Sequence, residues 1–230
     1  MVISYLVRHG RTAYSATYRL NGDPRVPVGL DGVGRRQCRM AATRIGAVTS
    51  CVTSGLPRAR QSAALLLGGR QVPITVDARL NELHYGQFEG KPFMEYARWL
   101  EHEGPWRRPP EGVESQREGI RRMLDGIRAA TVHPGPRLTV THGLAVSVLL
   151  WCQANASVPL TDMFFPEAPY ATAWGIPDEE LIALTDQRVT EIDMRLLIRS
   201  HDGPRSDRAP SAELLPSGPR HAKEEEDSHA

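Results

Sequence analysis

Neither sign of charge is in excess in this chain: 28 Lys and Arg stand against 27 Asp and Glu, a formal net charge of +1 over 230 residues. Without a general basic field, nucleic acid and membrane surfaces are not expected as partners. A long apolar run is also missing. The N-terminal run Val2–Val7 has no basic region before it and is far too short to span a bilayer. Cysteine is scarce, and Cys38, Cys51 and Cys152 are odd in number and show no ligand spacing. That argues against a disulfide framework or a zinc site and for reduced, structural thiols in the cytoplasm. There is no internal repeat, no Walker A loop and no Asp cluster suited to Mg²⁺. The length suits one substantial core plus a tail.

Two stretches stand out against this plain background. Val2 to Val7 is mostly β-branched or aromatic and reads as a buried strand, and it stops on Arg8-His9-Gly10. A cation and an imidazole are thereby placed just past the carboxyl end of a strand, where open α/β sheets carry their ligands. Far downstream, Arg137-Leu-Thr-Val-Thr141 runs into His142-Gly143 in the same way. One such His-Gly is more often a core histidine at a turn. Two of them, each ending a strand, point to a shared site.

The segment Leu6-Val-Arg-His-Gly-Arg-Thr12 resembles the signature that opens the histidine phosphatase superfamily, in its phosphoglycerate mutase-like branch. Thr53-Ser-Gly-Leu-Pro-Arg-Ala-Arg-Gln-Ser-Ala63, Leu80-Asn-Glu-Leu-His-Tyr-Gly-Gln-Phe-Glu-Gly90 and Val140-Thr-His-Gly143 resemble further elements of that family, in its order. The resemblance implies a three-layer α/β/α sandwich with a mostly parallel central sheet. It implies His9 as a nucleophile forming a phosphohistidine, Arg8, Arg58 and His142 as holders of the phosphoryl oxygens, and Glu82 as the general acid. No metal or other cofactor is implied, because the arginines supply the charge.

Along the chain, Ala13 to Leu30 reads as a long loop after the His9 turn, a length that is usually functional and here would wall the pocket. The resemblance places Ser15 near a family asparagine and Asn21-Gly22 where the family has Gln-Gly, so Ser15, Asn21, Gly22 and Gly143 are candidate substrate contacts. Asp31 reads as the N-cap of a helix through about Val48, with Met40, Ala41 and Ile45 inward and Arg35, Arg36 and Arg39 wet. Val48 to Thr53 reads as the second strand. Pro57 suits the first turn of the next helix, where Arg58 would add a forked donor to an anion-binding helix N-terminus; Arg60 faces elsewhere. Ile74–Asp77 is a short third strand. Glu82 follows in a loop beside Leu83, Tyr85 and Phe88, whose burial would raise its pKa. His84 reads as a surface or supporting residue.

A cap is expected over 91–114, with Phe93, Tyr96, Trp99 and Leu100 at helical spacing. Arg107 and Arg108 resemble the pair that phosphoglycerate mutases hold near a substrate carboxylate; a basic surface turn is the alternative. Ser115 with Glu118 reads as a capping box opening a helix to Ala130. An apolar helix spans Leu144 to about Gln153. Tyr170–Ile176 and Leu181–Thr185 read as closing strands joined by the acidic turn Pro177–Glu180. From about His201 the chain is rich in Pro, Ser, Arg and acids and reads as a disordered tail, 201–230, behind a domain of 1–200.

The expected reaction is metal-independent hydrolysis of a phosphomonoester, with a mutase or a non-catalytic phospho-ligand binder as alternatives. The expected partner is a small phosphorylated metabolite. A sugar phosphate, a phosphoglycerate derivative, α-ribazole phosphate and a pathway-specific metabolite all stay open, as does a homodimer.

Overall fold

Alternation in the first strand decides the layering. In a computed structural model that describes residues 1–201, Leu6 belongs to one hydrophobic cluster and its neighbour Val7 to another. Adjacent strand residues face opposite sides of a sheet, so helices cover both faces. The elements run β1 (Ile3–Arg8), α1 (Ala13–Ala16), α2 (Gly32–Ala42), β2 (Ser50–Thr53), α3 (Pro57–Leu67), β3 (Ile74–Val76), α4 (Phe93–Glu103), α5 (Gln116–Ala130), β4 (Arg137–Thr141), α6 (Gly143–Ala154), β5 (Ala173–Pro177) and α7 (Asp178–His201). Cys38 of α2 and Ala59, Ala63 and Leu66 of α3 pack with Val7, Cys51 and Val140 on one face. Side chains of α4, α5, α6 and α7 pack with Leu6, Val52 and Ile176 on the other. The architecture is the expected α/β/α sandwich.

The sheet order is β3-β2-β4-β1-β5. β2 and β3, β2 and β4, and β1 and β4 are parallel, while β5 pairs antiparallel with β1. β2, β4 and β1 therefore end side by side, which brings residues distant in sequence to one edge. No described helix is long and apolar enough to cross a membrane. The three cysteines are free and buried, and burial pushes the Cys51 thiol up to about 12.

Several local readings hold. Asp31 caps α2 by accepting from the Gly34 amide at 2.7 Å, Pro57 opens α3, and Ser115 and Glu118 form the capping box of α5.

Others need correction. Leu181–Thr185 is not a strand, and Pro177–Glu180 is not a connecting turn: β5 ends at Pro177 and α7 begins at Asp178. Its three acids occupy a helix first turn, where negative charge is favoured, and Asp178 accepts from Ser4 at 2.8 Å and from the buried Arg137 at 2.5 Å. Leu181, Leu184, Thr185, Arg188 and Ile192 are buried at a helical period. α2 stops at Ala42 rather than Val48, and Arg70 satisfies the carbonyls of Ala42 and Gly46 that the ended helix leaves open. Met40 faces solvent, not the core, since Gly34 and Cys38 carry the buried face. The loop after His9 holds the single-turn helix α1. The segment 202–230, read as a tail, lies outside the described residues.

Candidate active site

β1 delivers Arg8 and His9 to the edge where β2 and β4 also end. The His9 amide donates to the Thr141 carbonyl at 3.0 Å, fixing the turn against β4. Gly10 follows because nothing larger fits: a Cβ there would stand 2.6 Å from the Gly34 carbonyl of α2. Its carbonyl lies 2.7 Å from His9 Nδ1. A carbonyl can only accept, so Nδ1 carries the proton. Nε2 is then the lone-pair nitrogen, and it accepts from Arg58 Nε at 3.1 Å. Burial and then the Arg58 charge hold this imidazole well below the usual 6.5, against the upward pull of the Gly10 carbonyl and with a lesser downward contribution from Arg8. The geometry thus provides a neutral imidazole whose lone-pair nitrogen is held by the Arg58 guanidinium, with Arg8 on the same cavity.

Arg58 sits in the first turn of α3 and is itself buried. Asn21 orients it, accepting from Nη1 at 2.7 Å through its side chain and from Nη2 at 2.6 Å through its carbonyl. Arg8 donates from Nη1 to Glu167 at 2.7 Å and to the Ala168 carbonyl at 2.6 Å, and its guanidinium lies 3.7 Å from the centre of the Tyr170 ring. Gly143 opens α6 beside it, where a Cβ would come within 3.2 Å of Arg8 Nε. Two helix N-termini, those of α3 and α6, are therefore directed to the same place as β1.

His142, the N-cap of α6, stands against His9 with ring centroids 5.1 Å apart. Its Nε2 is 2.7 Å from Ser54 Oγ, and that hydroxyl donates in turn to Asn81 Oδ1 at 2.9 Å. With the Ser54 proton spent on Asn81, His142 Nε2 is the donor and Nδ1 carries the lone pair. His142 Nδ1 and Arg8 Nε are buried polar atoms with no hydrogen-bond partner among the described residues. Burial first, then Arg58, holds the His142 pKa well below 6.5.

Glu82 shares a cavity of about 620 Å³ with Arg8, His9 and Arg58. Desolvation raises its pKa above the usual 4.5, against the opposing pull of the Leu83 amide and of Arg58. Ser15, Asn21 and Gly143 also line the cavity, although the Ser15 hydroxyl is committed to the capping box with Thr12. The loop is stitched to α4 by the Phe93 amide on the Tyr18 carbonyl at 2.7 Å, so it does wall the pocket.

Three sequence candidates are not part of it. The Gly22 amide is held by Glu89 at 2.9 Å, and a Cβ there would be 1.7 Å from the Leu83 carbonyl: its smallness serves packing, not substrate. Arg108 is paired with Glu118 at 2.6 Å and Arg107 lies 3.9 Å from Glu103, both exposed at a separate cleft beside Trp99 and Trp106. They form the basic surface turn. Conversely, Ser54, Asn81, Glu167 and Tyr170 were missed. Ser54 and Asn81 adjoin recognised motifs and could have been found there, whereas Glu167 meets Arg8 across 159 residues with no local signal.

The two depressed histidines set an acid sensitivity. Below pH 6.5 the unfolded chain binds protons at His9 and His142 that the native state refuses. Stability falls from there toward the native values, by up to about 1.4 kcal/mol per pH unit for each group. Glu82 acts oppositely, regaining stability as pH falls through its raised native value toward 4.5. Urea midpoints at constant m should therefore drop between pH 6.5 and 5.5, less steeply in His9→Asn. A midpoint that rises on acidification would contradict the assigned neutral tautomers.

The fold and this site define a class: α/β proteins that gather a histidine and two arginines at the carboxyl edge of a mostly parallel sheet. The model of the histidine phosphatase superfamily (branch 1) matches residues 4–168, and the chain belongs to that family. A curated relative from Yersinia enterocolitica named "Probable phosphoglycerate mutase GpmB" is 32% identical over 164 residues, 65% of this chain and 74% of that protein. Among solved structures, YhfR of Bacillus stearothermophilus is similar with a TM-score of 0.64 and 27% identity, over 77% of this chain and 91% of that one. A mycobacterial glucosyl-3-phosphoglycerate phosphatase gives 0.63 at 23% identity, over 77% and 91%, which shows a shared fold alone.

Proposed function

We propose that the protein is a phosphomonoester hydrolase working through a phosphohistidine. The observation that carries this reading is the unprotonated Nε2 of His9, set between Arg8 and Arg58 and sharing its cavity with a carboxyl whose pKa is raised. Phosphoryl oxygens are stronger acceptors for a guanidinium than an imidazole nitrogen is. A bound phosphate therefore draws the Arg58 N–H away and frees the lone pair. Nε2 attacks phosphorus in line; the N–P bond forms as the ester P–O bond breaks, and the leaving oxygen takes the proton of Glu82. Glu82, now a carboxylate, removes a proton from water as its oxygen attacks phosphorus, the N–P bond breaks, and His9 and inorganic phosphate are released. Arg8 and Arg58 hold the equatorial oxygens throughout; His142, whose Nδ1 carries a lone pair in this tautomer, packs against the His9 ring.

A mutase is the competing reading, carried by the curated relative's name. Two observations favour hydrolysis. Arg107 and Arg108, the pair that would hold a substrate carboxylate, lie off the cavity. Only a short segment separates Glu82 from Gly112, and it contributes one helix, α4, to the cavity wall. A mutase must keep water from its phosphoenzyme. Parallel assays on one preparation, with EDTA present, decide it. Net phosphate release from p-nitrophenyl phosphate with little 2-/3-phosphoglycerate interconversion is expected, and efficient interconversion with negligible phosphate release would overturn the proposal.

A further inference from the structure

The outer part of the same cavity says which alcohol the phosphate is attached to. Beyond the His9 end, the wall is built from aromatic and aliphatic side chains of the loop after α1, of α4 and of residues 163–165. Tyr18, Phe93, Met94 and Phe164 line it while being 72%, 38%, 57% and 40% exposed. Large apolar side chains left in water around one mouth are not explained by packing, and they mark a surface that an apolar group covers. Phe93 and Phe164 meet edge to face across it, 6.4 Å between centroids.

Charge on this outer wall offers little to a second anion. Its charged members are Arg19, Glu101 and Glu167. Arg19 already donates to the Gly90 carbonyl at 2.7 Å, and Glu167 is paired with Arg8. With Glu167 neutralised by Arg8, a carboxylate or second phosphate on the substrate would meet one cation, Arg19, offset by one acid, Glu101. One polar feature is unspent. Gln116, 4% exposed, is one of the residues around the cavity and gives its amide nitrogen to the Met163 carbonyl at 2.8 Å, leaving Oε1 buried and without a partner among the described residues. A buried acceptor left unpaired is costly, and a ligand hydroxyl or amide N–H would satisfy it.

We infer that the substrate is the phosphate monoester of a neutral, largely apolar alcohol carrying one hydrogen-bond donor, which Gln116 Oε1 accepts. The inference rests on the reading of the His9 end as the phosphoryl site.

Non-hydrolysable phosphonates test it by binding alone. Affinities of plain alkylphosphonates from methyl to octyl, of their ω-hydroxy counterparts and of phosphonoacetate are measured calorimetrically on the wild-type chain. Affinity should rise about threefold to fourfold for each methylene taken into the cavity, and phosphonoacetate should bind no better than methylphosphonate. The hydroxylated series should show one chain length at which the hydroxyl no longer weakens binding, and Gln116→Leu should lose that maximum. A flat chain-length series, or phosphonoacetate binding tighter than every alkylphosphonate, would overturn the substrate class. A rising series with no preferred hydroxyl position would overturn the role of Gln116. Hydrolysis of p-nitrophenyl phosphate is followed on the same preparation. Turnover with a flat phosphonate series then sinks only this inference, whereas a rising series without turnover sinks only the hydrolase.

Discussion

Alanine in place of His9 is expected to lower turnover by on the order of 10⁴-fold or more, the scale on which removal of a covalent nucleophile acts. The fold should survive. His9 lies past the last residue of β1, and what its ring gives up is the contact with the Gly10 carbonyl and the one received from Arg58. His9→Asn serves as a control that can still accept from Arg58. Quenched in mid-turnover, the wild type should carry phosphate that is labile in acid and stable in alkali, and neither variant should. Activity of His9→Ala within tenfold of wild type would exclude the phosphohistidine route and leave the arginines holding a phosphate that water attacks directly.

Glu82→Gln should separate substrates by their leaving groups. An alkoxide cannot depart without a proton, so hydrolysis of alkyl phosphates is expected to drop by about 10²- to 10⁴-fold. Nitrophenolate leaves unaided, so phosphorylation by p-nitrophenyl phosphate should be far less impaired. The second step still needs a base for water. The variant should therefore release one nitrophenolate per chain in a burst and then slow. The pH profile follows from the same assignments. His9 must be unprotonated, which puts the acid limb below 6.5, and Glu82 must be protonated, which puts the alkaline limb above 4.5. Activity should pass through a maximum between the two limbs, and the alkaline limb should flatten in Glu82→Gln. Equal losses on alkyl and aryl esters would show that Glu82 does not protonate the leaving group.

Most of the clustering around His9 could be read from the sequence because strand ends and helix starts leave local marks. Arg8-His9-Gly10 and His142-Gly143 each follow an apolar strand, and Pro57 announces the turn that carries Arg58. The sheet order follows less directly, since parallel partners are chosen by contacts between distant segments. The misread end of the chain is instructive. Asp178-Glu-Glu180 has the polarity of a turn, and only the spacing of Leu181, Leu184, Arg188 and Ile192 identifies a helix first turn. Arg107 and Arg108 were misassigned because similarity of a dipeptide says nothing of which way it faces; Glu118, ten residues on, pulls Arg108 outward. Gln116 was read only as part of a helix, since neither its unpaired oxygen nor the Met163 carbonyl that orients it is visible before folding.

The contact between Arg8 and Glu167 spans 159 residues, and with the Ala168 carbonyl it takes up one nitrogen of the guanidinium beside His9. Synthesis runs from the N-terminus, so the imidazole is made well before that partner. Arg58, Glu82 and His142 arrive in between. The growing chain thus carries the histidine beside an unanchored guanidinium until residues 167 and 168 have been made.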